Sequence, residues 1–141
     1  MRTVFVTLDS SVIVAALRKH EERHRQCQSL LEKVQKGQYI AIQPYTVLVE
    51  VAAAVKRRTN SQRLAKRVKE LLQNIDTLDF VELGTIRADA ATDMAINTGL
   101  RGMDAIVVQV AAEFGATLVS LDEEMIEKAR AIINVRSVEE F

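Results

Sequence analysis

Short, nearly unbroken apolar runs alternate along the chain with longer stretches whose apolar residues recur every three or four positions. Val4-Phe5-Val6-Thr7-Leu8 reads as a strand. It ends in Asp9-Ser10-Ser11, whose side-chain oxygens suit a helix start, and Val12 to Leu17 continues that helix. A charged helix is expected from about Glu22 to Lys36, stopped by Gly37. Tyr39 to Ile42 is too short for a helix and ends near Pro44, so it reads as a second strand feeding a helix over Tyr45 to Arg57. From Ser61 to Asn74, Leu64, Val68, Leu71 and Leu72 recur at helical steps while Arg63, Lys66, Arg67 and Lys69 fall mostly on the other face.

The second half repeats the alternation. Phe80 to Leu83 reads as a strand, Thr85 to Thr98 as an alanine-rich helix closed by Gly99, and a further helix begins near Asp104 and covers Ala105 to Phe114. Thr117 to Leu121 reads as a strand that delivers Asp122. A helix over Glu123 to Ala131 and a short strand over Ile133 to Val135 complete the series. Strands that are continuous apolar runs, alternating with helices, predict an α/β fold with a parallel sheet of four to five strands covered on both faces. In such folds the working site lies outside the carboxyl ends of the strands, where strand order reverses.

Composition narrows the function classes. With 141 residues, 48% hydrophobic and 27% charged, the chain has the size and profile of one compact domain, here taken as residues 1–141. Nineteen basic residues balance nineteen acidic ones, so no global field draws it to nucleic acid or an anionic membrane, and such affinity must come from local patches. The single cysteine, Cys27, excludes an internal disulfide and fits a reducing compartment. No apolar run approaches the roughly 20 residues of a membrane span, and the run from Met1 carries no targeting pattern, so a cytoplasmic protein is expected.

Candidate chemistry rests on four acids. Asp9 and Asp122 each follow directly on a predicted strand, although Asp is also a good helix cap. Asp104 opens an apolar helix, where capping again explains it. Glu50 differs, because it lies in Val47-Leu48-Val49-Glu50-Val51-Ala52-Ala53 with apolar neighbours on every side. An ionised carboxylate in such surroundings needs compensation, either from a cation such as Arg101 or from a metal ion shared with the other acids. Hard divalent cations such as Mg²⁺ and Mn²⁺ prefer carboxylate and water oxygens gathered from separate elements.

Four segments in this order resemble the PIN-domain family, and in particular the VapC-like ribonucleases of toxin–antitoxin pairs. They are Val6-Thr7-Leu8-Asp9-Ser10-Ser11, Val47-Leu48-Val49-Glu50-Val51, Gly102-Met103-Asp104-Ala105-Ile106 and Thr117-Leu118-Val119-Ser120-Leu121-Asp122. The resemblance implies a Rossmann-like fold whose acidic quartet, Asp9, Glu50, Asp104 and Asp122, binds Mg²⁺ or Mn²⁺ and hydrolyses RNA phosphodiester bonds. It also implies a homodimer and a small antitoxin partner. Family members often carry hydroxyl residues near the acids, which assigns supporting roles to Ser11 and Ser120. Here Glu123 and Glu124 follow Asp122, where relatives often place a further Asp, so the acid completing a second metal position is left open.

Other features carry less. His20, His24 and Cys27 share a helical spacing compatible with zinc, but Lys19, Glu21, Glu22, Arg23 and Arg25 around them read as a solvated surface. Lys56, Arg57 and Arg101 are the candidate RNA contacts among several basic residues. The apolar helices around Val12 to Leu17 and Val47 to Val55 suggest a partner surface. The rival reading is a non-catalytic PIN-like module that binds RNA or protein. An aspartyl phosphatase would carry a second Asp at position 11, where Ser11 stands, and no Gly-rich nucleotide loop occurs.

Overall fold

A computed structural model describes residues 3–141; Met1 and Arg2, which open the N-terminal run, lie outside the described residues. Four parallel strands, β1 (Phe5–Leu8), β2 (Ile40–Pro44), β3 (Leu78–Val81) and β4 (Thr117–Val119), form one sheet in the order β3-β2-β1-β4. Seven helices flank it: α1 (Ser10–Leu17), α2 (His24–Gln35), α3 (Tyr45–Thr59), α4 (Gln62–Gln73), α5 (Thr85–Thr98), α6 (Gly102–Phe114) and α7 (Glu123–Ala129). The expected parallel α/β architecture is present. The chain steps outward from β1 to β3 and then returns to the other side of β1, so strand order reverses between β1 and β4.

Burial explains why the strands are apolar throughout. Val6, Leu8, Leu118 and Val119 are fully buried, since α6 lies along β2 and β1 while α1 packs on β1. The α1 residues Val12 to Ala16 are enclosed by α2 and α3, and α3 buries Val47, Leu48, Val51, Ala54 and Val55. The apolar surplus read as a partner surface in α1 and α3 is therefore absorbed within the chain, apart from Val49, which is 64% exposed. Large exposed apolar side chains stand instead on α5, at Ile86 (89%) and Ile96 (75%).

Several boundaries differ from the expected ones for identifiable reasons. Arg23 takes a left-handed conformation (φ 63°), so α2 begins at His24 rather than Glu22. Strand β2 runs on to Pro44, which lacks an N–H and occupies the extended N-cap position of α3. The third strand lies at Leu78–Val81 rather than Phe80 to Leu83. The expected strand at Ile133 to Val135 is reduced to one parallel bridge, Leu118 to Val135. Helix α6 begins at Gly102, so Asp104 is its third residue and is not its cap; Arg101 holds that position.

Between β1 and β2 the main-chain ladder pairs Phe5 with Ile40 and Val6 with Ala41. Toward the carboxyl ends side chains take over. Thr7 Oγ1 donates to the Ile42 carbonyl (2.7 Å), and Leu8 N donates to Oε1 of the fully buried Gln43 (3.2 Å). A side-chain wedge thus holds the two strands at their site-facing ends.

Leu8 fills the centre of this arrangement, whereas Ser61 caps exposed α4 by accepting from Leu64 N at 3.0 Å. In urea denaturation, Leu8→Ala should cost about 2–5 kcal/mol and Ser61→Ala about 1 kcal/mol. The reverse order would contradict the assigned core.

Candidate active site

Asp9 follows β1 directly, at the point where strand order reverses. Its amide donates to the Val119 carbonyl of β4 (3.0 Å). It stands at the N-cap of α1, yet its side chain makes no capping bond. Instead Oδ2 accepts two hydroxyl hydrogens, from Ser11 and from Ser120, each at 2.9 Å. Asp9 and Ser120 are both buried, so this carboxylate is held in one orientation. The serines are themselves oriented: Leu121 N donates to Ser11 Oγ (3.1 Å) and Asp122 N donates to Ser120 Oγ (3.0 Å). Oδ1 of Asp9 carries no protein hydrogen bond among the described residues.

Asp122 does act as a cap. Its Oδ1 accepts from Glu124 N (3.0 Å) and Met125 N (3.2 Å) at the start of α7, which leaves Oδ2 without a protein donor among the described residues. The helix-capping and site-lining readings of Asp122 are therefore compatible, one oxygen for each.

Asp9, Glu50, Asp104 and Asp122 line one open cavity of about 830 Å³. They come from the end of β1, the middle of α3, the first turn of α6 and the start of α7. Arg101 also lines it. Glu50 is half-buried on the cavity side of α3 rather than enclosed by apolar residues. Burial raises its pKa above the ordinary 4.5, with further upward pressure from Asp9 and Asp104. Burial likewise raises Asp104 above its ordinary 3.8, reinforced by Asp9, Asp122 and Glu124, while Arg101 opposes the shift. Glu50 thus senses the charge of Asp9 and Asp104, and Asp104 that of Asp9 and Asp122.

This donor set consists of oxygen only and carries surplus negative charge, the chemistry that suits a hard divalent cation. Among the described residues, no three of His, Cys, Asp and Glu close around a single cation position. Carboxylates that ring a cavity match a cation that retains several of its waters, as Mg²⁺ does. Helix α5 contributes small residues to the lining, Ala88, Ala91, Thr92 and Ala95.

Of the candidate RNA contacts, Arg101 stands at the cavity, Arg57 lines a neighbouring groove, and Lys56 turns to Asn60 Oδ1 (2.8 Å). The zinc spacing has no counterpart in space. His24 Nδ1 bonds the Ala15 carbonyl (2.7 Å), His20 is exposed, and Cys27 is fully buried with its thiol pushed up to about 11 by burial. Two contributors escape sequence reasoning. Gln43 gives only a polar residue before a proline as its signal, and the pairing of Glu124 with Lys128 (2.8 Å) beside Asp104 is signalled by their i, i+4 spacing.

Comparison with solved structures finds this fold in VapC20 of Mycobacterium tuberculosis, described as a sarcin–ricin loop cleaving toxin. The TM-score is 0.74 at 15% identity, covering 86% of this chain and 93% of that one. It recurs in PAE2754 of Pyrobaculum aerophilum (TM-score 0.65, 20% identity, 99% and 94% covered). VapBC2 of Rickettsia felis, solved bound to a promoter DNA fragment, matches at 0.66 and 16% identity over 95% and 98%. Comparison with curated protein sequences gives no match. The PIN domain profile matches residues 6–131, a span that contains all four acids and both serines, and the chain belongs to the PIN domain family.

Proposed function

We propose that the protein is a Mg²⁺- or Mn²⁺-dependent endoribonuclease, the VapC-like toxin of a toxin–antitoxin pair, acting in the cytoplasm as a single PIN domain over residues 1–141. The observation that carries this reading is the meeting of four carboxylates from four separate elements at one cavity, with Arg101 as the guanidinium among them. Asp9, Asp104, Asp122 and Glu50 would hold the cation. When bound, it supplies a water of lowered pKa and offsets charge on the departing oxygen.

The chain's own groups divide the remaining work. Asp9 Oδ1 and Asp122 Oδ2 are the oxygens left free by the serine and backbone donors. Glu50, whose proton affinity is raised, is suited to accept a proton from the attacking water. Arg101 offers positive charge to a phosphate at the rim. Ile86 and Ile96, exposed on α5, are candidate contacts for a homodimer or antitoxin partner. The alternative is a non-catalytic PIN-like module that binds RNA or protein at the same cavity.

Cleavage of single-stranded and structured RNAs separates the two readings. Wild type should cut with Mg²⁺ or Mn²⁺ and not with EDTA. Asp9→Asn should cut about two to three orders of magnitude more slowly with unchanged folding, because the amide oxygen still accepts from both serines. Binding without cutting under every condition would establish the module.

The raised acids make a second expectation. A carboxyl whose folded pKa exceeds its unfolded value leaves the fold unpenalised below the unfolded value and costs stability as pH rises through the folded one. Metal-free Glu50→Gln or Asp104→Asn should therefore melt a few degrees above wild type at neutral pH. That gain should vanish in buffer below the ordinary values of 3.8 and 4.5. Saturating Mn²⁺ should reverse the order by stabilising wild type alone. A metal-free variant no more stable than wild type at neutral pH would show that the acids are already compensated.

A further inference from the structure

A second groove of about 550 Å³ leaves the acidic cavity along α3. Its floor is one face of that helix: Val49, Glu50, Ala53, Ala54, Arg57 and Arg58 recur at the spacing of successive turns. Glu50 belongs to both the cavity and the groove, so the two are continuous. Beyond Glu50 the floor is small and uncharged until Arg57, which makes no ion pair among the described residues. The seven residues from Glu50 to Arg57 span about 10 Å of helix, on the order of two to three nucleotide steps along a stacked strand.

At the far end arginines and glutamates meet, and not every arginine is paired. Arg58 pairs with Glu21, and Arg18 Nε lies 3.9 Å from the same Glu21 oxygen. Arg18 Nη1 is buried and has no hydrogen-bond partner. Of the two guanidiniums that line the groove, Arg58 is engaged by Glu21, whereas Arg57 has no ion pair among the described residues; the exposed Glu22 lines the groove as well. A basic or neutral peptide would leave Arg57 without an anionic partner, whereas an RNA phosphate would supply one.

We propose that this groove carries the RNA strand away from the cleaved bond, with Arg57 holding the phosphate two or three nucleotides from it. The assignment rests on the endoribonuclease reading and adds a phosphate subsite to it. Lys56, bonded to Asn60, lies off the path.

A short single-stranded RNA with one mapped cleavage site tests this. Arg57→Met should raise KM roughly tenfold with kcat little changed, and Arg57→Lys should restore part of the loss. In the Asp9→Asn background, the slope of log affinity against log salt should fall by about 0.7 on Arg57→Met. Arg130→Met, a charge-matched change elsewhere on the surface, should leave KM unaltered. Independently of any variant, an uncharged methylphosphonate placed at each position should weaken wild type most at one site two or three nucleotides from the cut. That penalty should not add to the Arg57→Met loss.

Arg57→Met that binds and cuts like wild type or like Arg130→Met overturns the subsite and leaves the groove to a protein partner. So do methylphosphonate penalties that add fully to the variant's loss at every position. A wild type that makes no metal-dependent cut overturns the nuclease reading itself, a result distinct from either.

Discussion

The architecture converges on one buried carboxylate that has hydrogen-bond donors and no cation of its own. Asp9 is set where β1 and β4 part, its main chain tied to Val119 and its Oδ2 to two serine hydroxyls. Buried acids are tolerated when donors satisfy them, and two neutral hydroxyls satisfy one oxygen without cancelling the charge. The carboxylate is therefore fixed in direction, with its other oxygen left to the cavity. Because Ser120 also receives the amide of Asp122, the same small network sets where the second acid begins its helix.

Around that anchor the other acids are held by elements whose stability comes from elsewhere. Helix α3 is secured by Val47, Val51 and Val55, and α6 by Ala105, Val107 and Val108; Glu50 and Asp104 ride on those faces as passengers. Their mutual repulsion is thus opposed by core packing remote from the cavity. Arg101 offsets part of it from the cap position of α6, and Lys128 ties Glu124 and the Gly99 carbonyl (3.0 Å) together at the rim.

Much of this was legible because the informative residues sit at boundaries. Apolar runs mark the strands, and a parallel sheet puts their ends on one side, which singles out Asp9 and Asp122 without separating a site role from a helix cap. Apolar neighbours single out Glu50, and the four-segment resemblance joins these three with Asp104 as one quartet. What stayed hidden depends on pairs distant in sequence. Ser120 is expected near the acids only through the resemblance, and its bond to Asp9 spans 111 positions; Gln43, with no such signal, reaches Leu8 across 35 by replacing a main-chain bond with a side-chain one. The last expected strand failed because Ile133 to Val135 meets β4 at a single bridge. Local pattern supplies β-propensity there, but ladder length is decided by tertiary geometry.

The divided duty of Asp122 has a consequence for what a substitution there removes. Its Oδ1 caps α7 by accepting two amides, a task an amide oxygen also performs, while Oδ2 is left to the cavity. Asparagine at this position keeps the helix start and discards the negative charge. The charge of the cavity and the start of α7 are thus separable at residue 122 by a single substitution.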